Sequence, residues 1–209
     1  SFRYTQVNFR NTPVLEWTGN RNDQLYAGFV QDEYSATDDL RFTLGAKLEH
    51  NVHTGLEVQP SLRGLYRISD GSSAWAAVSR AVQTPAEVYR GARVLYGFVP
   101  DPGVGYDTQI VLNPTGWSVP ESVVAYEAGF RTGLTERLSL DIAAFYNDYD
   151  NVASITFGQP FPVTPTLVEQ PFNADGATQA QSFGVEVASR YLVSAALTLH
   201  VGFSYLRIR

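Results

Sequence analysis

Residues 120–152, PESVVAYEAGFRTGLTERLSLDIAAFYNDYDNV, decide the fold. On the first arm Val124, Tyr126, Ala128 and Phe130 share one face, and Ala125, Glu127, Gly129 and Arg131 share the other. On the second arm Leu138, Leu140, Ile142, Ala144 and Tyr146 alternate with Ser139, Asp141, Ala143, Phe145 and Asn147. A period of two over about ten residues per arm is that of a β-strand, whose successive side chains point to opposite faces. The link Leu134-Thr135-Glu136-Arg137 is too short to join the arms except as an antiparallel hairpin. One face is apolar with aromatic ends and the other polar or small. Lipid on one side and a polar lumen on the other impose that pattern.

Working outward, the same alternation predicts nine strands, at roughly 2–9, 24–34, 40–50, 56–68, 74–84, 122–133, 137–149, 180–191 and 196–207. In 40–50, Leu40, Phe42, Leu44, Ala46 and Leu48 oppose Arg41, Thr43, Gly45, Lys47 and Glu49; 196–207 repeats the pattern. No helical period competes, and the chain reads as all-β. If every strand is antiparallel, the long connections 10–23, 85–121 and 150–179 fall at one end of the sheet. Outer-membrane barrels segregate their loops in this way, whereas a soluble β-sandwich or lipocalin-like barrel has no reason to. Strands of about eleven residues also match the roughly 9–11 that a tilted membrane strand needs. An open nine-stranded sheet would leave unpaired edges in lipid. The expectation is therefore an antiparallel transmembrane β-barrel, with residues 1–209 one part of a single barrel domain and further strands before Ser1, after Arg209, or both.

Composition narrows the function. No run of eighteen apolar residues exists, so helical spans are not expected; a barrel hides from hydropathy averages because only alternate residues face lipid. There is no cysteine, hence no disulfide framework, thiolate metal site or Cys nucleophile. A net charge of −6 argues against nucleic acid, which requires a basic patch. Aromatics make up 13% of the chain and cluster near strand ends, where the girdles of a membrane barrel sit.

Several segments, in order, resemble the barrel of TonB-dependent outer-membrane receptors. They are FVQDEY at 29–34 with LRFTLGAKLEHN at 40–51, TGLEVQPSLRGLY at 54–66 with WAAVSRAVQTP at 75–85, Pro120-Glu121 with YEAGF at 126–130, and SFGVEV at 182–187. The resemblance covers nearly the whole chain. It implies a location in the outer membrane of a Gram-negative bacterium and a barrel of about 22 strands. It also implies an N-terminal plug that is not visible here, and energy coupling to the inner-membrane TonB complex. The function it implies is active uptake of a scarce ligand, by default a ferric siderophore or similar metal chelate, with no cofactor and no covalent chemistry. A passive porin-like channel, an outer-membrane hydrolase barrel, and an anchor for a surface lipoprotein or surface assembly remain as alternatives.

The connection 85–121 is far longer than a hairpin needs, and such loops are usually functional. Tyr89, Arg90, Arg93, Tyr96, Phe98, Tyr106 and Trp117 lie in it. Rings and guanidinium groups suit a large, flat, anionic ligand; the other reading is an outer girdle, or a loop packed on itself. In 150–179, Phe157, Phe161 and Phe172 stand among prolines that favour a semi-rigid extended loop. On the lumen face Glu127, Arg131, Asp141 and Glu186 are expected to form charge pairs, with one another or with a plug. No metal site is expected. His50 and His53, three apart, would face opposite ways on a strand, and Asn147-Asp148-Tyr149-Asp150-Asn151 lacks EF-hand spacing. No nucleophile elbow, HExxH or phosphate loop is present. Ser79, His200 and Asp141 make a triad only on paper.

Overall fold

The computed structural model describes residues 1–7, 11–17, 21–101 and 103–209. In chain order the elements are β1 (Phe2–Val7), β2 (Leu15–Trp17), β3 (Arg21–Ser35), β4 (Leu40–Asn51), β5 (Gly55–Ser69) and β6 (Ser72–Gln83). There follow α1 (Glu87–Gly91), β7 (Ala92–Val99), β8 (Asp107–Asn113), β9 (Glu121–Thr135), β10 (Leu138–Phe157), β11 (Phe161–Thr164), β12 (Leu167–Ser194) and β13 (Leu197–Ile208). Nine of the strands form an antiparallel wall in the order β1-β3-β4-β5-β6-β9-β10-β12-β13. These are the nine that the alternation predicts, although residues 8 and 9 of the first lie outside the described residues.

The deciding hairpin has the expected register. Phe130 lies opposite Ile142, Tyr126 opposite Tyr146, and Arg131 opposite Asp141. Followed across the wall, these pairings put Leu44, Leu62, Val78, Val185 and Phe203 on the outer face, and most of these rings and branched chains are exposed. Exposed apolar surface over so wide an area is unstable in water and correct in hydrocarbon. On β3 the outward Tyr26 and Tyr34 stand eight residues apart, about 26 Å along the strand, as the two aromatic belts of a bilayer require.

The opposite face is mostly small and polar, and two of its aromatic side chains cover a glycine on the next strand. Trp75 covers Gly129 and Phe145 covers Gly184. Arg63 stacks on the Trp75 ring, 4.9 Å from its centroid. A β-carbon at Gly129 would lie 2.5 Å from the indole, whose atoms are its nearest neighbours, so Gly129→Ala is expected to destabilise the wall by about 1–2 kcal/mol. Urea unfolding of the Trp75→Leu/Gly129→Ala pair should recover most of that loss, because the closest contacts are all with the indole side chain.

The four turns at one end are short: 36–39, 70–71, 136–137 and 195–196. The long connections all lie at the other end, as expected, but their character differs from the expectation. Residues 85–121 and 150–179 are not extended loops. The first contains α1, β7 and β8; the second is taken up by the end of β10, by β11 and by the start of β12. Their strands add to the wall itself. β8 pairs in parallel with Leu167–Asn173 of β12, β7 pairs with β8, and β2 pairs with β7. The fully buried Val111 and Leu112 belong to this added layer, as do the buried Trp17, Ala92, Trp117, Phe172 and Ala174. The hydrophobic core of the chain is therefore in its long connections, because the wall gives its own apolar face to lipid.

Candidate functional site

The added layer is held from the inside by one carboxylate. Glu169 is buried on β12 and accepts hydrogen bonds from Arg93 Nη2 (2.6 Å), Gln109 Nε2 (2.8 Å) and Asn113 Nδ2 (3.2 Å). A buried charge is tolerated only when paired and hydrogen-bonded in this way. On the opposite face of the layer Leu112, Phe172 and Ala174 pack with Val88, Tyr89, Val94 and Ile110. Neighbouring Val111 and Leu112 are both buried, so both faces of β8 are covered.

The seven residues singled out in 85–121 divide by environment. Arg90 is buried and paired with Glu87 across the single turn of α1. Arg93 is held by Glu169, with Glu16 at 3.5 Å. Trp117 is buried and stacks on Tyr89, ring centroids 5.9 Å apart. These four side chains pack and tie the layer. Tyr96, Phe98 and Tyr106 are exposed.

Tyr96 is set apart by the backbone. On β7, Leu95 pairs with Val111 and Gly97 with Ile110, so Tyr96 is the extra residue of a bulge. Bulges re-aim a side chain and concentrate next to functional sites. The Tyr96 ring meets Phe172 edge-on at 5.0 Å, and Phe172 meets Phe157 at 6.1 Å. Phe157 is 74% exposed, so β7, β10 and β12 together present one aromatic patch at the end of the molecule that carries the long connections. Its members from 150–179 are brought beside Tyr96 by the parallel pairing of β8 with β12. No local sequence signal encodes that pairing.

On the lumen face Arg131 Nε donates to Asp141 Oδ2 at 2.7 Å. Glu186 lies two strands over, opposite Ala143, and Glu127 lies opposite Phe145; among the described residues neither takes part in an ion pair. The Arg131 side chain is 71% exposed, and exposed pairs contribute little. Asp141→Asn is accordingly expected to change unfolding stability by less than about 1 kcal/mol. A larger loss in a urea titration would mean that the pair is shielded.

The remaining candidates separate. Ser79 is on β6 and His200 on β13, with β9, β10 and β12 between them, a span of about 19 Å at the usual strand spacing. Ser79, His200 and Asp141 therefore form no triad. The oxygens of 147–151 do not converge either: Asn147 donates to Ser182, while Asp148 and Asp150 accept from Gln181 and Gln179. Asp175 accepts from the Ser154 hydroxyl and from the Ala177 amide, which holds its carboxyl below the usual carboxylate range. His53 is not on a strand at all. It sits in the turn between β4 and β5, where its ring reaches Asp23 and Glu87.

Comparison with known proteins agrees with this architecture. The family model "TonB dependent receptor-like, beta-barrel" matches residues 1–209. The "Iron-regulated outer membrane virulence protein" of Vibrio cholerae is 24% identical over 178 residues, covering 84% of this chain and 25% of that protein. Among solved structures, the siderophore receptor PirA from Pseudomonas aeruginosa superposes with a TM-score of 0.73 at 17% identity, over 90% of this chain and 35% of that one. The ferric enterobactin receptor PfeA, solved in complex with BCV-L6, gives a TM-score of 0.72 at 16% identity, over 92% of this chain and 28% of that one. The chain thus spans about a quarter to a third of the length of these relatives.

Proposed function

The chain belongs to the TonB-dependent receptor-like β-barrel family of the Gram-negative outer membrane, and on that premise we propose that it forms wall and outer vestibule of a receptor for a ferric siderophore or similar metal chelate. The observation that carries the reading is the aromatic patch built on the Tyr96 bulge. Exposed rings on a rigid, separately cored layer offer flat apolar area at low entropic cost, which suits a chelate with planar aromatic arms. Arg90 and Arg93 are committed to carboxylates, so recognition rests on the rings more than on guanidinium charge. In this reading a plug in the lumen meets the Glu127, Arg131, Asp141 and Glu186 wall, and the inner-membrane TonB complex drives release of the cargo through the barrel. The protein moves its ligand and does not transform it.

The test is binding by the complete receptor, purified from outer membranes and followed by quenching of its intrinsic fluorescence with a panel of ferric catecholates and hydroxamates. One class should bind at submicromolar concentration. The Tyr96→Ala/Phe98→Ala/Tyr106→Ala variant should bind at least tenfold more weakly, since buried aromatic contacts dominate such interfaces. Failure of every chelate to bind, together with steady ion conductance in a planar bilayer, would replace the receptor by a passive channel.

A further inference from the structure

Asp23 near the start of β3, His53 in the β4–β5 turn and Glu87 in α1 come from three separate segments and meet at the same end of the wall as the aromatic patch. His53 Nε2 lies 2.7 Å from Asp23 Oδ1 and 3.5 Å from Glu87 Oε1, and one donor atom from each residue lies within 4.8 Å of the other two. We infer that Asp23, His53 and Glu87 bind a divalent transition-metal ion of the Zn²⁺ type, which ties these three segments together.

The convergence of both carboxylates on one ring nitrogen suits a metal ion. An imidazolium can satisfy two carboxylates by giving one N–H to each, from opposite sides of the ring. Here both carboxylates approach the same nitrogen, which has at most one proton to give. A cation on the Nε2 lone pair accommodates both oxygens. Zn²⁺ binds imidazole nitrogen and carboxylate oxygen at about 2.0–2.2 Å, which spaces tetrahedral donors about 3.4 Å apart. The His53–Glu87 separation already has that value, and His53–Asp23 needs to open by about 0.7 Å. One imidazole with two carboxylates suits Zn²⁺ and its neighbours better than Ca²⁺ or Mg²⁺, which prefer all-oxygen shells, or Cu(I), which prefers sulfur.

The site is also built. Asn51, itself buried, accepts from the amides of His53 and Thr54, both at 2.9 Å, and so shapes the turn that carries the imidazole. Its amide group donates to Thr54 Oγ1 (2.6 Å) and to Thr84 Oγ1 (3.3 Å), linking that turn to the segment that leads into α1 and Glu87. Arg90 faces the triad through its pair with Glu87. Its Nη2 sits on the same Glu87 oxygen, Oε1, that approaches His53, so in the metal-bound form the guanidinium passes to Oε2 while the ion takes Oε1. Three protein donors leave a fourth position for water.

The experiment uses the complete receptor in detergent, stripped with a chelator and titrated with ZnCl₂ by calorimetry at pH 7.5, with Co²⁺ absorption reporting coordination. The expected result is a site whose Zn²⁺ affinity falls at least tenfold in His53→Ala and in Asp23→Asn, with the matching Co²⁺ band lost. Zn²⁺ should slow hydrogen exchange at 52–54 and 87–91 in the wild type and not in His53→Gln, a variant that keeps the size of the side chain. Zn²⁺ affinity unchanged by all three substitutions, or no binding by the wild type, would overturn the assignment.

Discussion

Glu169→Ala is expected to open the outer layer while leaving the barrel wall folded. The substitution removes the common acceptor of Arg93, Gln109 and Asn113 and strands their donors in a largely buried setting. Breaking a buried ion pair from one side costs on the order of 3–5 kcal/mol. Arg93 is one-third exposed and keeps Glu16 at 3.5 Å, so the lower end, about 3 kcal/mol, applies. That is about two powers of ten in the opening equilibrium of the layer. Limited proteolysis should then cut within 92–113, and the proposed chelate affinity should fall with it. The heat-resistant migration of the folded barrel in detergent gels should persist, because the wall ladders do not include Glu169 below its pairing with β8 and β11. Equal protease resistance in Glu169→Ala and wild type would show that apolar packing around Leu112 and Phe172 alone holds the layer.

Gly184→Val is expected to act in the opposite place, lowering the yield of folded barrel itself. A β-carbon at Gly184 would stand 2.2 Å from the Tyr205 carbonyl oxygen and 2.6 Å from the Phe145 ring. The ring can move, but the carbonyl belongs to the β12–β13 ladder and cannot shift without breaking it. Overpacking against backbone costs about 3 kcal/mol or more, at the upper end of the usual range. Phe145→Leu should therefore rescue Gly184→Ala only slightly, in contrast to the near-complete rescue expected for Trp75→Leu with Gly129→Ala. Urea unfolding of the two double-mutant cycles in lipid vesicles measures the difference. Full rescue at both sites would mean that the β12–β13 backbone yields.

The wall was legible from residues because its code is local. In 40–50 and in 120–152 each residue reports its own face, and a strand that must meet lipid on one side has little freedom to alternate otherwise. The outer layer was not legible. Residues 92–99 and 107–113 carry strand-forming side chains, but short runs such as ARVLYGFV have no hairpin turn of two residues to announce them. The α1 helix has one turn and shows no period at all. Arg93 and Trp117 read as ligand-facing by residue type, whereas their placement depends on Glu169 and Tyr89, 76 and 28 residues away by position. His53 read as facing away from His50 on a strand, and its partners Asp23 and Glu87 lie about thirty residues to either side of it.

The sequence by itself determined the strand class, the number of wall strands, the sidedness of the sheet, the end that bears the long connections and the family. All of these follow from period-two alternation and short motifs, which involve residues in contact or nearly so along the chain. Only the tertiary structure decided that the long connections form a cored layer continuous with the wall, that Tyr96 is thrust outward while Arg90 and Trp117 are taken in, and that Asp23, His53 and Glu87 converge. Those outcomes depend on a parallel pairing between β8 and β12, formed across some sixty residues of chain. Loop closure over such a distance adds little entropy beyond that of a shorter loop, so burial of Val111, Leu112 and Phe172 can select it, and nothing in the local pattern has to foretell it.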